Sequence, residues 1–142
     1  MKGQLGKLEV LLKALADATR LRILGLLTTG EVCVCHIHES LKISQPKASR
    51  HLAYLRRAGL VTTRREGLWV HYKLAPALDP LVVTIQEAAI HVLGHVDAVR
   101  NDAQRLRRLT GAYLPNASGD GAYACCQAAN VSVTSSAARL TS

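Results

Sequence analysis

SQPKASRHLAYLRRAG, residues 44–59, is the stretch that decides the fold, because it predicts a helix with one narrow apolar stripe. Ser44 can accept hydrogen bonds from the free backbone N–H groups of the first helical turn. Pro46 suits that turn, where an N–H has no helical partner, and Gly59 favours a C-terminal stop. The apolar residues recur at helical spacing, at Ala48, Leu52 and Leu55.

The outer face of this predicted helix is polar and cationic. Such side chains can read base edges in a DNA major groove while the cations meet phosphates. DNA contacts are predicted at Ser44, Gln45, Lys47, Ser49, Arg50, His51 and Tyr54. A solvated surface helix also carries charges on its outer face, so this stretch alone leaves that alternative open.

The positive charge of the chain is concentrated around this helix. The 142 residues carry a formal net charge of +8, and residues 20–73 hold ten Lys and Arg against three Asp and Glu. A localised positive field is typical of nucleic-acid-binding proteins. The length suits one domain with a real core. We therefore expect double-stranded DNA, as an inverted-repeat operator, to be the partner.

The sequence contains no apolar run of membrane-spanning length, and its N-terminal stretch is typical of an amphipathic helix. We expect a cytoplasmic protein without a membrane partner, whose four cysteines stay reduced. The pairs Cys33/Cys35 and Cys125/Cys126 are then soft-ligand or redox groups, and structural disulfides are not expected.

Three helices are predicted upstream of the 44–59 helix. Apolar spacing places them over 4–15, from a cap at Asp17 to a stop at Gly30, and over about 31–41. The third helix and the 44–59 helix are joined by a tight turn, which is typical of a helix-turn-helix.

A two-stranded wing is predicted after the helix-turn-helix. Residues 60–65 and 68–74 alternate in character and are rich in Val, Thr, Trp and Tyr, with Glu66-Gly67 between them as a turn signal. Arg64 and Arg65 lie near the predicted tip, where they could reach an adjacent phosphate or the minor groove. A hairpin without DNA contacts would have a similar pattern.

The C-terminal third predicts one long helix from Asp79 to about Leu109. Its apolar residues are spaced alternately by three and four, as in helices that pair between chains. The expected dimer interface contains Val82, Ile85, Ala89, Val92, Val96 and Val99. Packing on its own domain is the alternative, but a small head is not expected to cover a helix of roughly 45 Å. A two-fold dimer would place two reading helices one duplex turn apart.

These elements predict a mainly α fold with a small β-hairpin wing, a winged helix-turn-helix that forms a homodimer through a long C-terminal helix. Residues 1–110 are expected to form the DNA-binding and dimerisation domain. Residues 111–142 are dominated by small and polar side chains, which predicts a flexible tail carrying Cys125 and Cys126.

Soft-ion ligands are suggested by the cysteines and histidines of EVCVCHIHESL, residues 31–41. On an ideal helix Cys33 and Cys35 point about 200° apart, so they could hold one ion only if the turn deformed. Cys35 and His38 share a face. Thiolates select soft ions such as arsenic(III), cadmium, lead or zinc. Burial of both cysteines as small hydrophobes is the alternative.

The order of EVCVCHIHESL, SQPKASRHLAYLRRAGLV and REGLWVHYKL resembles the ArsR/SmtB family of bacterial metal-sensing repressors, over about residues 8–108. The Cys-Val-Cys is similar to that of the arsenite-sensing and cadmium/lead-sensing branches. The resemblance implies a homodimeric winged-helix repressor that leaves its operator when a soft ion is captured. It also implies that Cys33 and Cys35 are ion ligands.

The chain departs from both branches in its other ligands. His38 stands where the arsenite branch usually offers a third cysteine, so either two thiolates suffice or the tail supplies Cys125 or Cys126. The tail pair could equally form a separate two-thiol site for an organoarsenical. The cadmium/lead branch takes further cysteines from an N-terminal segment, which has none here. His91 and His95, at i and i+4, could bind zinc. The zinc-sensing pattern is incomplete around them, which favours packing and solvation roles.

The leading function is therefore a DNA-binding repressor that releases its operator on binding arsenite or a related trivalent arsenical through cysteine thiolates. A cadmium-, lead- or zinc-responsive repressor, a thiol redox switch and an architectural DNA-binding dimer are the alternatives. No grouping of Ser, His and carboxylate predicts hydrolysis, so neither an enzyme nor an organic cofactor is expected. Release is expected to follow from unwinding of the first turn of the third helix as both thiols bind one ion.

Overall fold

The computed structural model describes residues 3–76 and 78–110, which are mostly helical and contain one small sheet. In chain order the elements are α1 (Gln4–Leu15), α2 (Ala18–Leu27), β1 (Val32–Cys33), α3 (Val34–Leu41), α4 (Gln45–Arg57), β2 (Val61–Glu66), β3 (Trp69–Leu74), α5 (Pro80–Leu93) and α6 (Asp97–Leu109). The predicted tail, with Cys125 and Cys126, lies outside the described residues.

The predicted caps lie at the N-termini of α2 and α4. The Asp17 carboxylate accepts a hydrogen bond from the Arg20 N–H at 3.0 Å and begins α2. The Ser44 hydroxyl accepts one from the Lys47 N–H at 3.2 Å and begins α4. Lys42, with φ 57°, takes the left-handed conformation that ends α3 and turns the chain toward α4. The helix-turn-helix is therefore confirmed.

The core lies between α1, α2, α3 and α4, and the stripe predicted for residues 44–59 faces it. Ala48, Leu52 and Leu55 are completely buried. Leu52 and Leu55 pack in one cluster with apolar side chains of the other helices, including Leu11, Ile23, Leu26, Ile37 and Leu41. Burial of each such side chain contributes about 1.5–3 kcal/mol, so this stripe fixes which face of α4 remains outside.

The wing contains three strands where the sequence predicts two. Its order is β1-β3-β2, and both pairings are antiparallel. Gly67, with φ 59°, makes the turn between β2 and β3 together with Leu68. The third helix accordingly begins at Val34, and its predicted start at about residue 31 is wrong. Val32 and Cys33 are extended because they hydrogen-bond to β3, a pairing that local helical spacing does not reveal.

The single long C-terminal helix is also corrected, because α5 and α6 are separate. Gly94, a weak helix former, starts the interruption, and extended backbone at Val96 begins α6. The second helix packs on α2 and α3 of its own chain. Its Asp102 is fully buried and accepts hydrogen bonds from the Arg22 guanidinium at 2.7 and 2.8 Å and from Arg105.

The residues of the predicted dimer seam fall into three groups by burial. Val99 is buried in the core of its own chain, so the expectation that it lies on an intermolecular seam is overturned. Val92 and Val96 are exposed, at 61% and 38%. The remaining members are half-buried, at Val82, Ile85 and Ala89.

Across the described residues, no helix combines the length and apolar character needed to cross a bilayer.

Candidate DNA interface and dithiol site

The outer face of α4 presents its polar N-terminal half to solvent. Gln45, Lys47 and Arg50 are exposed, and Ser49 is half-buried beside them. Because Ala48 and the two leucines of the stripe hold the opposite face in the core, these side chains project away from the domain. An exposed row of amide, hydroxyl and cationic groups on a helix suits base edges and phosphates in a major groove.

Two predicted DNA contacts on α4, His51 and Tyr54, also contact α2 or its N-cap within the domain. The Arg20 guanidinium lies over the Tyr54 ring, 4.1 Å from its centroid. Its Nε and Nη2 atoms also donate to the carbonyls of Ala14 and Lys13, at 2.7 and 2.9 Å. His51 Nδ1 lies 3.8 Å from the Asp17 carboxylate, and burial lowers the pKa of this imidazole. These contacts orient α4 on the domain.

The wing carries two exposed arginines, and the first of them forms ion pairs with carboxylates. Arg64 lies two residues before the end of β2, and its guanidinium pairs with Glu31 at 2.6 Å and Glu66 at 2.5 Å. Hydrogen bonding from Arg64 lowers the pKa of Glu31, while both carboxylates raise the pKa of Arg64. Arg65, next along the strand, is exposed. Only Arg65 therefore faces solvent without competition from this carboxylate pair.

The thiols of Cys33 and Cys35 lie side by side. Cys35 donates a hydrogen bond to Cys33, with 3.0 Å between the two Sγ atoms, and both cysteines are reduced. The prediction that they point apart is wrong because Cys33 has extended backbone, with φ −70° and ψ 144°, and only Cys35 is helical. Cys33 is buried, whereas Cys35 is half-buried.

This pair fits a single soft ion. Two sulfurs that each bind one ion at about 2.3 Å, the zinc–sulfur distance, can lie at most about 4.6 Å apart. The observed 3.0 Å is well inside that limit. Within residues 3–76 and 78–110, no cluster of three or more Cys, His, Asp or Glu is arranged to hold a metal. Among the described residues, the site therefore has two sulfur atoms that could bind an ion.

The histidines of α3 and α5 do not complete a ligand set with the dithiol in the described part of the chain. The His38 Nδ1 atom lies 3.3 Å from the Ile43 carbonyl, toward the other end of α3. His36 is buried, which lowers its pKa. On α5, the rings of His91 and His95 meet edge to face with centroids 5.4 Å apart. Both are exposed, and no third ligand joins them in the described part of the chain.

Sequence reasoning assigned His71 only to a phosphate or structural contact and missed Asp102, and both are buried near these sites. His71 on β3 is only 2% exposed and lies directly opposite Cys33 in the strand register. Asp102 supports the C-terminal end of α3 through Arg22 and Arg105, which donate to the carbonyls of Leu41 and Ser40. Neither has a local signal, because a two-residue strand and a partner 80 positions away leave no periodicity.

Comparison with known proteins agrees with this geometry. The family model described as "Bacterial regulatory protein, arsR family" matches residues 17–63. The arsenical resistance operon repressor of Escherichia coli (strain K12) is 50% identical over 80 residues, covering 56% of this chain and 68% of that protein. The family-model match spans the described helices α2, α3 and α4 and the start of β2.

Two solved structures share the fold. HlyU from Vibrio cholerae N16961 is 39% identical with a TM-score of 0.56, covering 65% of this chain and 97% of that chain. The winged helix-turn-helix domain of Mb0332 from Mycobacterium bovis, described as homodimeric, is 33% identical with a TM-score of 0.55, covering 66% and 84%. The relatives are DNA-binding transcriptional regulators. This chain therefore belongs to the ArsR family of bacterial regulatory proteins.

Proposed function

We propose that this regulator is a homodimeric repressor that leaves its operator when Cys33 and Cys35 capture arsenite or a related trivalent arsenical. The observation that carries the proposal is the 3.0 Å approach of the two thiols at the start of α3. That helix packs directly on α4, so the ligand would bind next to the DNA-reading unit. The named function of the Escherichia coli relative, an arsenical resistance operon repressor, supports the choice of ligand.

Capture by two thiols is a condensation. Arsenite, As(OH)3, exchanges two hydroxyl groups for the two sulfurs, and each departing hydroxyl leaves as water with one thiol proton. One hydroxyl group stays on arsenic in the resulting dithiolate. Cys125 or Cys126 could replace this last group as a third sulfur, and both lie outside the described residues. His38 is turned toward the Ile43 carbonyl, which leaves it less suited to that role.

Dimerisation would cover the apolar residues that a single chain leaves exposed. On α1, Leu5 and Leu12 are 73% and 52% exposed and line a shallow apolar groove with Leu8. On α5, Val92 is 61% exposed. The two helices contact each other within one chain. A second copy bound there by two-fold symmetry would set the two α4 helices one duplex turn apart.

Coupling between ligand and DNA needs no unwinding of α3. The extended backbone at Cys33 already brings both sulfurs together, so the expected unwinding of a helical turn is not part of this mechanism. A shift of the ligand-bound segment relative to the domain is sufficient. Each tenfold loss of operator affinity requires only about 1.4 kcal/mol of coupling free energy.

The test is fluorescence anisotropy on an inverted-repeat operator, titrated in turn with arsenite, cadmium, lead and zinc. We expect arsenite to release the wild-type protein and a Cys125→Ser/Cys126→Ser variant, but not Cys33→Ser/Cys35→Ser. Release of the last variant would place the sensor elsewhere. Preferential release by cadmium, lead or zinc would identify the ion and reject arsenic as the main inducer.

A thiol redox switch is the second candidate, because the same sulfur approach suits disulfide formation. An oxidant such as diamide would take up the two thiol hydrogens as the sulfur–sulfur bond forms. Release by diamide together with insensitivity to every ion in the titration would favour this function. Release by arsenite in a reducing buffer would exclude oxidation as the only trigger.

A further inference from the structure

A row of three side chains crosses the sheet from the dithiol to the wing. In the antiparallel register Cys33 lies opposite His71, and His71 lies opposite Arg64. Directly opposed residues in antiparallel strands project from the same face, with Cβ atoms about 4.5–5.5 Å apart. Cys33 and His71 are both buried, so this part of the row is closely packed. The thiol site and the DNA-facing hairpin are therefore parts of one sheet.

The two ends of this row are also joined by an ion pair. Glu31 lies two residues before Cys33, and its carboxylate pairs with Arg64 at 2.6 Å. The same carboxylate lies 4.0 Å from the His71 Nδ1 atom. Movement of the segment that carries Cys33 would therefore act on the wing through backbone pairing and through Glu31.

The opposite end of α3 is held firmly. Arg105 donates to the Ser40 carbonyl at 2.6 Å, and Arg22 donates to the Leu41 carbonyl at 3.2 Å. Both guanidiniums are anchored on the fully buried Asp102. A displacement that starts at Cys33 is thus opposed where α3 leads into α4, whereas Cys33 itself pairs directly with β3.

We propose that ligand capture is transmitted to DNA through the wing, along Cys33, His71 and the Glu31–Arg64 ion pair. This inference rests on the proposed function, since it takes Cys33 and Cys35 as the ligand site. Glu31, His71 and Arg64 act as positioning residues that make the orientation of the β2–β3 hairpin depend on the state of the dithiol. Arg65 then changes its position relative to a phosphate when the ligand binds.

Trp69 provides a native probe of this movement. It is the only tryptophan in the chain, it is half-buried, and it begins β3 opposite Glu66. We expect sodium arsenite to change its emission in the DNA-free protein, with one arsenic bound per protomer by mass spectrometry. The change should be absent in Cys33→Ser/Cys35→Ser. Unchanged emission with arsenic bound would overturn the proposal, even if the operator is still released.

Neutralising the ion pair gives the second measurement. Glu31→Gln should bind arsenite normally, but the factor by which arsenite weakens operator binding should shrink by about threefold or more. Glu39→Gln, which neutralises an exposed carboxylate on α3, is the matched control and should keep the wild-type factor. Equal factors in both variants would contradict the role of Glu31. Failure of arsenite to bind any of these proteins would instead refute the dithiol sensor itself.

Discussion

Gly25 in α2 and Val99 in α6 are packed so closely that a Cβ atom at position 25 would overlap the valine side chain. The absence of a side chain at Gly25 allows α6 to fold back onto its own domain. The same contact removes Val99 from an intermolecular seam. Two residues 74 positions apart thus decide how the C-terminal region is arranged.

Gly25→Ala is expected to destabilise the protein by about 1–3 kcal/mol, because the added methyl group overpacks this contact. In a helix interior alanine is normally more favourable than glycine by about 1 kcal/mol. A loss of unfolding free energy in Gly25→Ala would therefore point to the close contact with Val99. Urea unfolding measures the effect. In a Val99→Ala background the added methyl should become neutral or stabilising. A stabilising Gly25→Ala in the wild type would show that α6 does not dock here.

Asp102→Ala should lower the free energy of unfolding by about 3–5 kcal/mol, because it leaves Arg22 and Arg105 without their buried partner. Asp97→Ala is the matched control on the same helix. Its carboxylate is 83% exposed and pairs only with Arg100 among the ion pairs of residues 3–76 and 78–110, so its removal should cost about 0–1 kcal/mol. Equal losses in urea titrations would refute the supporting role of Asp102.

The two wing arginines should differ in their effect on DNA binding. Arg65→Ala is expected to reduce the slope of log affinity against log salt by about one, because it removes one phosphate contact. Arg64→Ala should leave that slope nearly unchanged, since its guanidinium is held by Glu31 and Glu66. Anisotropy titrations over a salt series check both. A larger slope change for Arg64 would mean that it leaves its carboxylates on DNA.

Substitutions at Lys47, which is exposed, and at Tyr54, which is half-buried, should affect DNA binding differently. Lys47→Ala should weaken operator binding and lower the salt slope by about one. Tyr54→Phe keeps the ring beneath Arg20, so operator affinity should stay within about twofold of wild type, far below the tenfold change that 1.4 kcal/mol produces. A strong loss in Tyr54→Phe would show that its hydroxyl contacts DNA directly.

Asp17 should give part of the stability a dependence on pH. The Arg20 N–H holds the pKa of this carboxylate below its usual range, so its contribution is complete above the unfolded pKa and is lost as pH falls through the lower folded pKa. Asp17→Ala should cost about 1 kcal/mol at neutral pH and progressively less in acid. Asp17→Asn, which still caps, should retain most of the stability. A pH-independent deficit in Asp17→Ala would contradict this assignment.

The helix-turn-helix can be predicted from the sequence because its signals are local. Ser44 and Asp17 accept hydrogen bonds from N–H groups three residues away, and the apolar stripe of α4 repeats within one helix. The hairpin has a similarly local turn at Gly67. Each of these features depends on neighbours within a few positions, where spacing rules apply.

The parts that escape sequence reasoning depend on distant partners. Cys33 is extended because β3 pairs with it, so helical spacing misplaces its thiol by half a turn. The heptad pattern of the C-terminal region depends only on its apolar residues. The packing of α6 also depends on Asp102, which pairs with Arg22, 80 positions earlier. The positive charge of Arg64 suits a DNA contact, but within the domain its guanidinium forms an ion pair with Glu31.

The residue that starts α3 is a poor choice for starting a helix. Within the described chain, the sulfur of Cys33 makes no capping hydrogen bond to the first turn, a task that serine performs well. An isosteric serine here would therefore be expected to strengthen the helix by about 1 kcal/mol. A chain that keeps sulfur at this position forgoes a helix cap, so the proposed dithiol sensor would lie at a weakly initiated end of α3.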